Sequence, residues 1–495
     1  MNAERIRKIV ILGGGTAGWM TATALSRALV NTGVEVTLIE SEDIGIVGVG
    51  EATIPTIHWF NQLVGLNDAE FMRETKAIYK LGIDFRDWGG PGHTYFHPFG
   101  LFGAPGEGIA FYHRWIRANL AGQVDDDFEA FSIAAQLGRA HKFAFPGQDR
   151  RSLLSNLGYA YHFDASLYAR YLRKVAEGRG IKRVEGIVEE IRQQPETGFI
   201  TSLTTNKGET LEGDLFIDCS GFRGVLIEQT LKTGFEDWTH WLPCDRAWAV
   251  PTENLGELHP YTRSTARPAG WQWRIPLQHR TGNGYVYSSQ YVSDDEARQT
   301  LLDNLEGQAL EEPRQVRFLA NKRKQAWNKN VVAIGLSSGF LEPLESTSIH
   351  FIQTGISRLL SLFPNRDCEP YTVEQYNRVA TSEMEAARDF IVLHYHASGA
   401  RSGPMWDHVR AMPIPEALAY KIEHFKRTGR IVIPPEELFR EASWFAVFLG
   451  QGIRPTDYNP LTDAESATEA AAHLARLKAA IAQARDQLPT YRPGM

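Results

Sequence analysis

The first forty residues leave the fewest options for the fold. Ile9-Val-Ile-Leu12 is a short apolar run, Gly13-Gly-Gly15-Thr-Ala-Gly18 is a glycine-rich turn, and Ala17 to Leu29 has helical spacing. Val36-Thr-Leu-Ile39 is a second apolar run, ending at Glu40. Strand, turn, helix and strand in that order predict a βαβ unit whose turn follows G-x-G-x-x-G. Gly13 allows the tight turn, Gly15 lets the backbone approach a pyrophosphate, and Gly18 lets helix and strand pack closely. Gly14, Thr16 and Ala17 complete the phosphate cradle at the helix N-terminus, where free N–H groups and the positive dipole end favour anions. Glu40 is placed to accept the ribose hydroxyls. A glycine turn alone is often only a turn. With the strand, the helix and the acid all in place, it reads as a dinucleotide site, for FAD or NAD alike.

Later segments return to the same theme. Leu215-Phe-Ile-Asp-Cys-Ser-Gly221 and Asn330-Val-Val-Ala-Ile-Gly335 each read as a strand running into a tight turn. Such returns predict an α/β fold whose nucleotide domain is interrupted by substrate-covering excursions. The chain has 495 residues, 43% of them hydrophobic, enough for a large core in one interleaved unit. The Ala-rich segment 463–488 reads as a terminal amphipathic helix, assigned to packing or homodimer contacts. A net charge of −7 with no long basic run argues against nucleic acid as a partner. No apolar run approaches the ~18 residues of a membrane span, and the N-terminus lacks the pattern of a secretion signal. Cys219, Cys244 and Cys368 form neither a metal pattern nor a disulfide framework. A cytoplasmic protein with no membrane or metal partner is expected.

Four more stretches carry chemistry. Trp271-Gln-Trp273-Arg-Ile-Pro276 sets two tryptophans around one residue, although most of the 12 tryptophans should simply be core. Lys80 stands among apolar neighbours in Ala77-Ile-Tyr-Lys-Leu-Gly-Ile-Asp-Phe85. A lysine there usually snorkels to water, but a partly buried ammonium is also a directed hydrogen-bond donor. Glu345, in Gly339-Phe-Leu-Glu-Pro-Leu-Glu-Ser-Thr-Ser-Ile-His350, reads as a turn or capping residue or as a proton acceptor. Glu342 is the better candidate for the capping or turn role. His97-Pro-Phe99 reads as a core turn or as an aromatic wall for a flat ring.

Together these motifs resemble flavin-dependent halogenases, the tryptophan halogenase family, over nearly the whole chain. The resemblance implies a Rossmann-like FAD-binding domain of the flavin monooxygenase type, with an interleaved substrate-covering region and a helical C-terminus. FAD-binding parts would be about 1–59, 211–224 and 325–365; substrate-covering parts would be about 60–210, 225–324 and 366–495. It adds Val49, Gly50 and Glu51, with Leu336 and Ile349, as flavin contacts, and Thr347 and Ser348 as the halide site. Lys80 and Glu345 become catalytic residues, and His97, Phe99 and Ser346 line the substrate pocket. The implied reaction is FADH2-dependent: oxygen gives a flavin hydroperoxide, halide attacks it, and the resulting hypohalous acid is guided to Lys80. Lys80 presents it by a hydrogen bond or as a haloamine, and Glu345 takes the proton lost from the ring. Trp271 and Trp273 would line the space between flavin and substrate. A separate NAD(P)H-dependent flavin reductase and a small aromatic substrate are the expected partners, with O2 and bromide or chloride as co-substrates.

Two departures bear on specificity. Ser348 stands where many members have glycine, which leaves chloride versus bromide open. The paired-tyrosine lid of tryptophan-specific members is absent from Phe425-Lys-Arg-Thr-Gly-Arg-Ile-Val-Ile-Pro-Pro-Glu-Glu437. Losing groups that hold an ammonium and a carboxylate removes discrimination for them, so an indole other than free tryptophan is expected. The alternatives are a flavin-dependent aromatic hydroxylase and a FAD-binding protein that does not halogenate. Asp218-Cys-Ser-Gly221 lacks the Asp-Gly motif of the former, and the presence of Lys80 and Glu345 argues against the latter.

Overall fold

The computed structural model describes residues 4–44, 50–103, 109–125, 127–434 and 437–492. Val49, one of the expected flavin contacts, lies outside them. The chain forms two compact units: residues 1–77, 163–243 and 317–385 in the first, and 78–162, 244–316 and 386–495 in the second.

In the first unit the strand Lys8–Leu12 pairs in parallel with Glu35–Glu40 on one side and Leu215–Asp218 on the other. Lys182–Glu185 extends the sheet beyond Glu35–Glu40, and Val331–Ala333 extends it beyond Leu215–Asp218, both in parallel. The short strand Trp327–Asn328 closes that second edge in antiparallel. The expected α/β, Rossmann-like architecture is therefore present, and all four strands read from the sequence belong to one sheet. Parallel strands are buried on both faces, which explains why their cores read as continuous Ile, Val, Leu and Phe. Helices Thr16–Ala28, Thr56–Val64, Ala165–Gly178 and Ser348–Ser361 belong to the same unit.

The second unit is built on a seven-stranded mixed sheet. Its centre is the hairpin of Thr262–Arg267 and Gly270–Pro276, continued by Thr281–Tyr287. Gly82–Arg86 joins Thr262–Arg267 in parallel and pairs with Thr94–Pro98 in antiparallel. The terminal helix runs Ala467–Gln487, capped by a Ser466–Glu469 box. Ala470, Leu474, Leu477 and Ile481 form its buried stripe, so packing is one role it plays. The three cysteines are free and buried. No helix among the described residues is long and apolar enough to cross a membrane.

Candidate active site

The glycine turn has the geometry of a phosphate cradle. Gly13 has φ +115°, and a β-carbon there would lie 2.3 Å from the Cys219 carbonyl oxygen, so only glycine fits. A β-carbon at Gly18 would lie 1.8 Å from the Gly13 carbonyl oxygen, which is how closely the helix approaches the turn. Gly15 differs: a β-carbon there would meet nothing within 4 Å, so the space above the helix N-terminus is open. Gly15 is the N-cap and supplies no side-chain acceptor, which leaves the first N–H groups, including those of Thr16 and Ala17, available to a ligand. Gly335 has φ +81° and presses the turn carrying Leu336 against Ala17, at 2.8 Å from a β-carbon built on Gly335 to the Ala17 β-carbon.

Glu40 ends its strand beside this turn, but its carboxylate is already engaged. Trp19 Nε1 donates to Oε2 at 3.2 Å, and Arg173 and Arg183 both reach Oε1. A carboxylate has roughly four acceptor positions, so Glu40 has room for one ribose hydroxyl rather than two. The arginine pair is a contribution that the sequence reading missed, because both arginines lie far along the chain.

The Glu-Ser-Thr turn is compact and buried. Glu345 ends a short helical turn, Pro343–Glu345, with no exposure of its own. Ser346 then takes φ +60°, a left-handed conformation that costs a non-glycine residue roughly 1–2 kcal/mol. Thr347 follows as the N-cap of Ser348–Ser361 without a side-chain capping bond, and its buried Oγ1 has no partner among the described residues. An uncapped helix N-terminus beside an unpartnered buried hydroxyl is suited to an anion. Glu342 stands at the N-cap of the short turn without a side-chain capping bond, so of the capping or turn role read for it the place in the turn is what the structure gives.

In the second unit, Lys80 ends the strand Ile78–Lys80, pairs with Ala160 and is fully buried. The Phe99 N–H bonds the Leu81 carbonyl, and this turn lays the Phe99 ring 5.0 Å from Lys80 Nζ. An ammonium over an aromatic face is held by the ring quadrupole. The neighbouring His162 bonds Thr262 Oγ1 at 2.8 Å. Burial, and then the Lys80 charge, push its imidazole well below the ordinary histidine range. His97 takes a different set of neighbours: Phe390 at 5.8 Å and Phe439 at 6.3 Å, the latter two stacked at 3.9 Å.

Strand pairing decides which residues share a face. Trp273 stands opposite Ser264, Ser264 opposite Phe85, and Phe85 opposite Tyr95. Alternation along each strand adds Trp271 and His97 to the same face. The two tryptophan rings lie 6.2 Å apart, with Trp273 flat across Gly284, where a β-carbon would come within 2.0 Å of the ring.

A tryptophan halogenase family model matches residues 8–467. The chain belongs to the tryptophan halogenase family. It is a flavin-dependent halogenase, an oxidoreductase, and its relatives cover it end to end. The flavin-dependent halogenase BrvH of Brevundimonas sp. BAL3 is 46% identical, with a TM-score of 0.94 over 98% of both chains. A flavin-dependent halogenase from Xanthomonas campestris is 44% identical, with a TM-score of 0.94 over 98% of this chain and 97% of that one. The tryptophan 6-halogenase of Streptomyces toxytricini is 37% identical over 94% of both chains.

This halogenase therefore needs a flavin, and the residues of its first unit fit one: open space at Gly15, uncapped N–H groups and the Leu336 turn beside them. Two substitutions separate fold from cofactor. Gly13→Ala should unfold the unit or lower its melting temperature sharply, since the turn has no room for a methyl. Gly15→Val should keep the melting temperature of the apoprotein within a few degrees and weaken FAD binding by about tenfold or more, read by flavin fluorescence. Equal loss of stability in both variants would contradict the cradle.

Glu51 carries a pH dependence. Its carboxyl has no hydrogen-bond or ionic partner among the described residues, and burial pushes its pKa up to about 7. The folded halogenase thus holds this proton more tightly than the unfolded chain does. The associated stability is complete below the unfolded carboxylate pKa, near 4.5, and is lost as pH rises through about 7. Glu51→Gln should flatten the fall in melting temperature over that window and raise it at pH 8. A pH profile unchanged by the substitution would show that the carboxyl is not the titrating group.

Proposed function

We propose that the enzyme halogenates a neutral, electron-rich indole rather than free tryptophan, using bromide or chloride. FAD, reduced by a separate NAD(P)H-dependent reductase, supplies the activation of O2 that oxidises the halide. Gly13 to Gly18, Glu40, the segment from Val49 to Glu51, Leu336 and Ile349 hold the flavin. Thr347 and Ser348 hold the halide at the uncapped helix N-terminus. Lys80, kept dry and steered by Phe99, presents hypohalous acid to the ring through a hydrogen bond or a haloamine. Glu345 accepts the ring proton as aromaticity returns. His97, Phe99 and Ser346 line the pocket for the flat ring, and Trp271 and Trp273 limit access of water and substrate to the flavin.

The observation that carries the substrate reading is the charge pairing around the aromatic wall that contains His97. Trp444 lies 5.1 Å from Phe390, and Lys421 Nζ lies 4.5 Å above the Trp444 ring. Lys421 is spent on Glu437, at 2.6 and 2.7 Å to its two oxygens, and Arg388 bonds Asp389 at 2.7 Å. Burial raises the pKa of both Glu437 and Asp389. A wall whose charges are internally compensated gives little to the ammonium and carboxylate of an amino acid, whose desolvation would go unrewarded. Turnover of indole and of free tryptophan, with reductase, NADH and bromide, tests this. Indole should exceed tryptophan in kcat/KM by about tenfold or more. The reverse order would sink the reading, and a hydroxylated product would replace it with an aromatic hydroxylase.

A further inference from the structure

His350 lies in the first turn of the helix whose N-terminus is read as the halide site, and it is buried. Its Nδ1 lies 3.0 Å from Thr56 Oγ1, the first residue of the helix Thr56–Val64. Its Nε2 lies 3.1 Å from Glu383 Oε1. Thr354 Oγ1 donates to Glu383 Oε2 at 2.9 Å and Arg358 donates to the same oxygen at 2.7 Å. Arg358 in turn lies over the Tyr376 ring at 5.0 Å. Burial alone would raise the Glu383 pKa, but His350, Arg358 and Thr354 outweigh it and keep the carboxyl ionised. All of these groups belong to the first unit.

His350 thus joins two partners, Thr56 Oγ1 at one ring nitrogen and the Glu383 carboxylate at the other. Thr56 Oγ1 also lies 3.1 Å from Gln353 Oε1. A phenyl ring in place of the imidazole would make neither bond. The imidazole ties the helix that starts at Thr347 and Ser348 to Thr56, five positions after Glu51 in the segment expected to contact the flavin.

We propose that His350 is a positioning residue for the halide site. With Glu383 as its anchor, it clasps the anion-holding helix to Thr56 and raises the affinity of that helix N-terminus for halide. The proposal rests on reading Thr347 and Ser348 as the halide site.

Bromide dependence tests it in two ways on the FAD-loaded enzyme. In turnover, Thr56→Val and His350→Phe should raise the KM for bromide by about tenfold, the effect of losing one hydrogen bond. The KM for indole and the kcat at saturating bromide should stay within about twofold. Thr56→Ser, which keeps the hydroxyl, should restore the bromide KM. In the absence of turnover, bromide should raise the melting temperature of wild type at concentrations about tenfold lower than it does for Thr56→Val. Equal bromide KM in wild type and Thr56→Val, with a similar melting response, would overturn the clasp. A general loss of stability and kcat with bromide KM unchanged would also overturn it, since that is what a merely structural contact produces. If wild type halogenates nothing, yet Thr56→Val still weakens the bromide response of the melt, the proposed reaction fails and the clasp stands.

Discussion

Replacing Lys80 with alanine should leave FAD binding and oxygen consumption close to wild type while halogenated product falls by at least about a hundredfold. The side chain is fully buried, ends a paired strand and rests over the Phe99 ring, so it is not a solvated surface lysine. Its strand is held by backbone pairing with Tyr161 and Ala160, which the substitution leaves intact. Alanine leaves a cavity, so Lys80→Met is the companion variant, filling much of the space without the ammonium. Both variants should consume O2 and release free hypohalous acid or peroxide in place of product, measured by a peroxide assay beside product chromatography. Product from Lys80→Met at a tenth of the wild-type rate or better would remove the lysine from the mechanism.

Glu345→Gln should lower kcat by roughly a hundredfold with little change in FAD affinity or bromide KM. Glutamine keeps the size and most of the hydrogen bonding of the buried carboxylate, so the left-handed turn at Ser346 and the helix start at Thr347 should survive. What it loses is the capacity to take a proton from the ring and to balance the cationic intermediate. A solvent isotope effect or a substrate deuterated at the reacting carbon would sharpen the result, because loss of the ring proton should become slower and visible in the rate. If the glutamine variant keeps more than a tenth of wild-type kcat, deprotonation is carried by another group, and the role given to Glu345 is wrong.

The parts of the fold that were legible in the sequence are those with short-range periodicity. The helix read as 17–29 is Thr16–Ala28, and the second strand is Glu35–Glu40. The terminal helix, read as 463–488, is Ala467–Gln487. In each case one to four residues differ at an end, where capping rather than periodicity decides. The glycines of the fingerprint were legible because they follow a fixed local spacing between strand and helix, although the close contact at Gly13 is with the distant Cys219 carbonyl. The wall around His97 was not legible. It is completed by Phe390, Phe439 and Trp444 and balanced by Lys421 and Glu437, residues about three hundred positions away with no shared pattern. Arg173 and Arg183 at Glu40 were missed for the same reason.

By itself the sequence determined the βαβ unit and the family, and it supplied the residues to which the chemistry is assigned, because motif spacing and side-chain type are local properties of the chain. Only the tertiary structure decided what each of those residues touches. Register across the sheet put Trp273 in line with Phe85 and Tyr95, and packing of helices 294 residues apart joined Thr56 to His350. Those pairings follow from how apolar faces are buried over the whole unit, a condition that no stretch of sequence expresses alone.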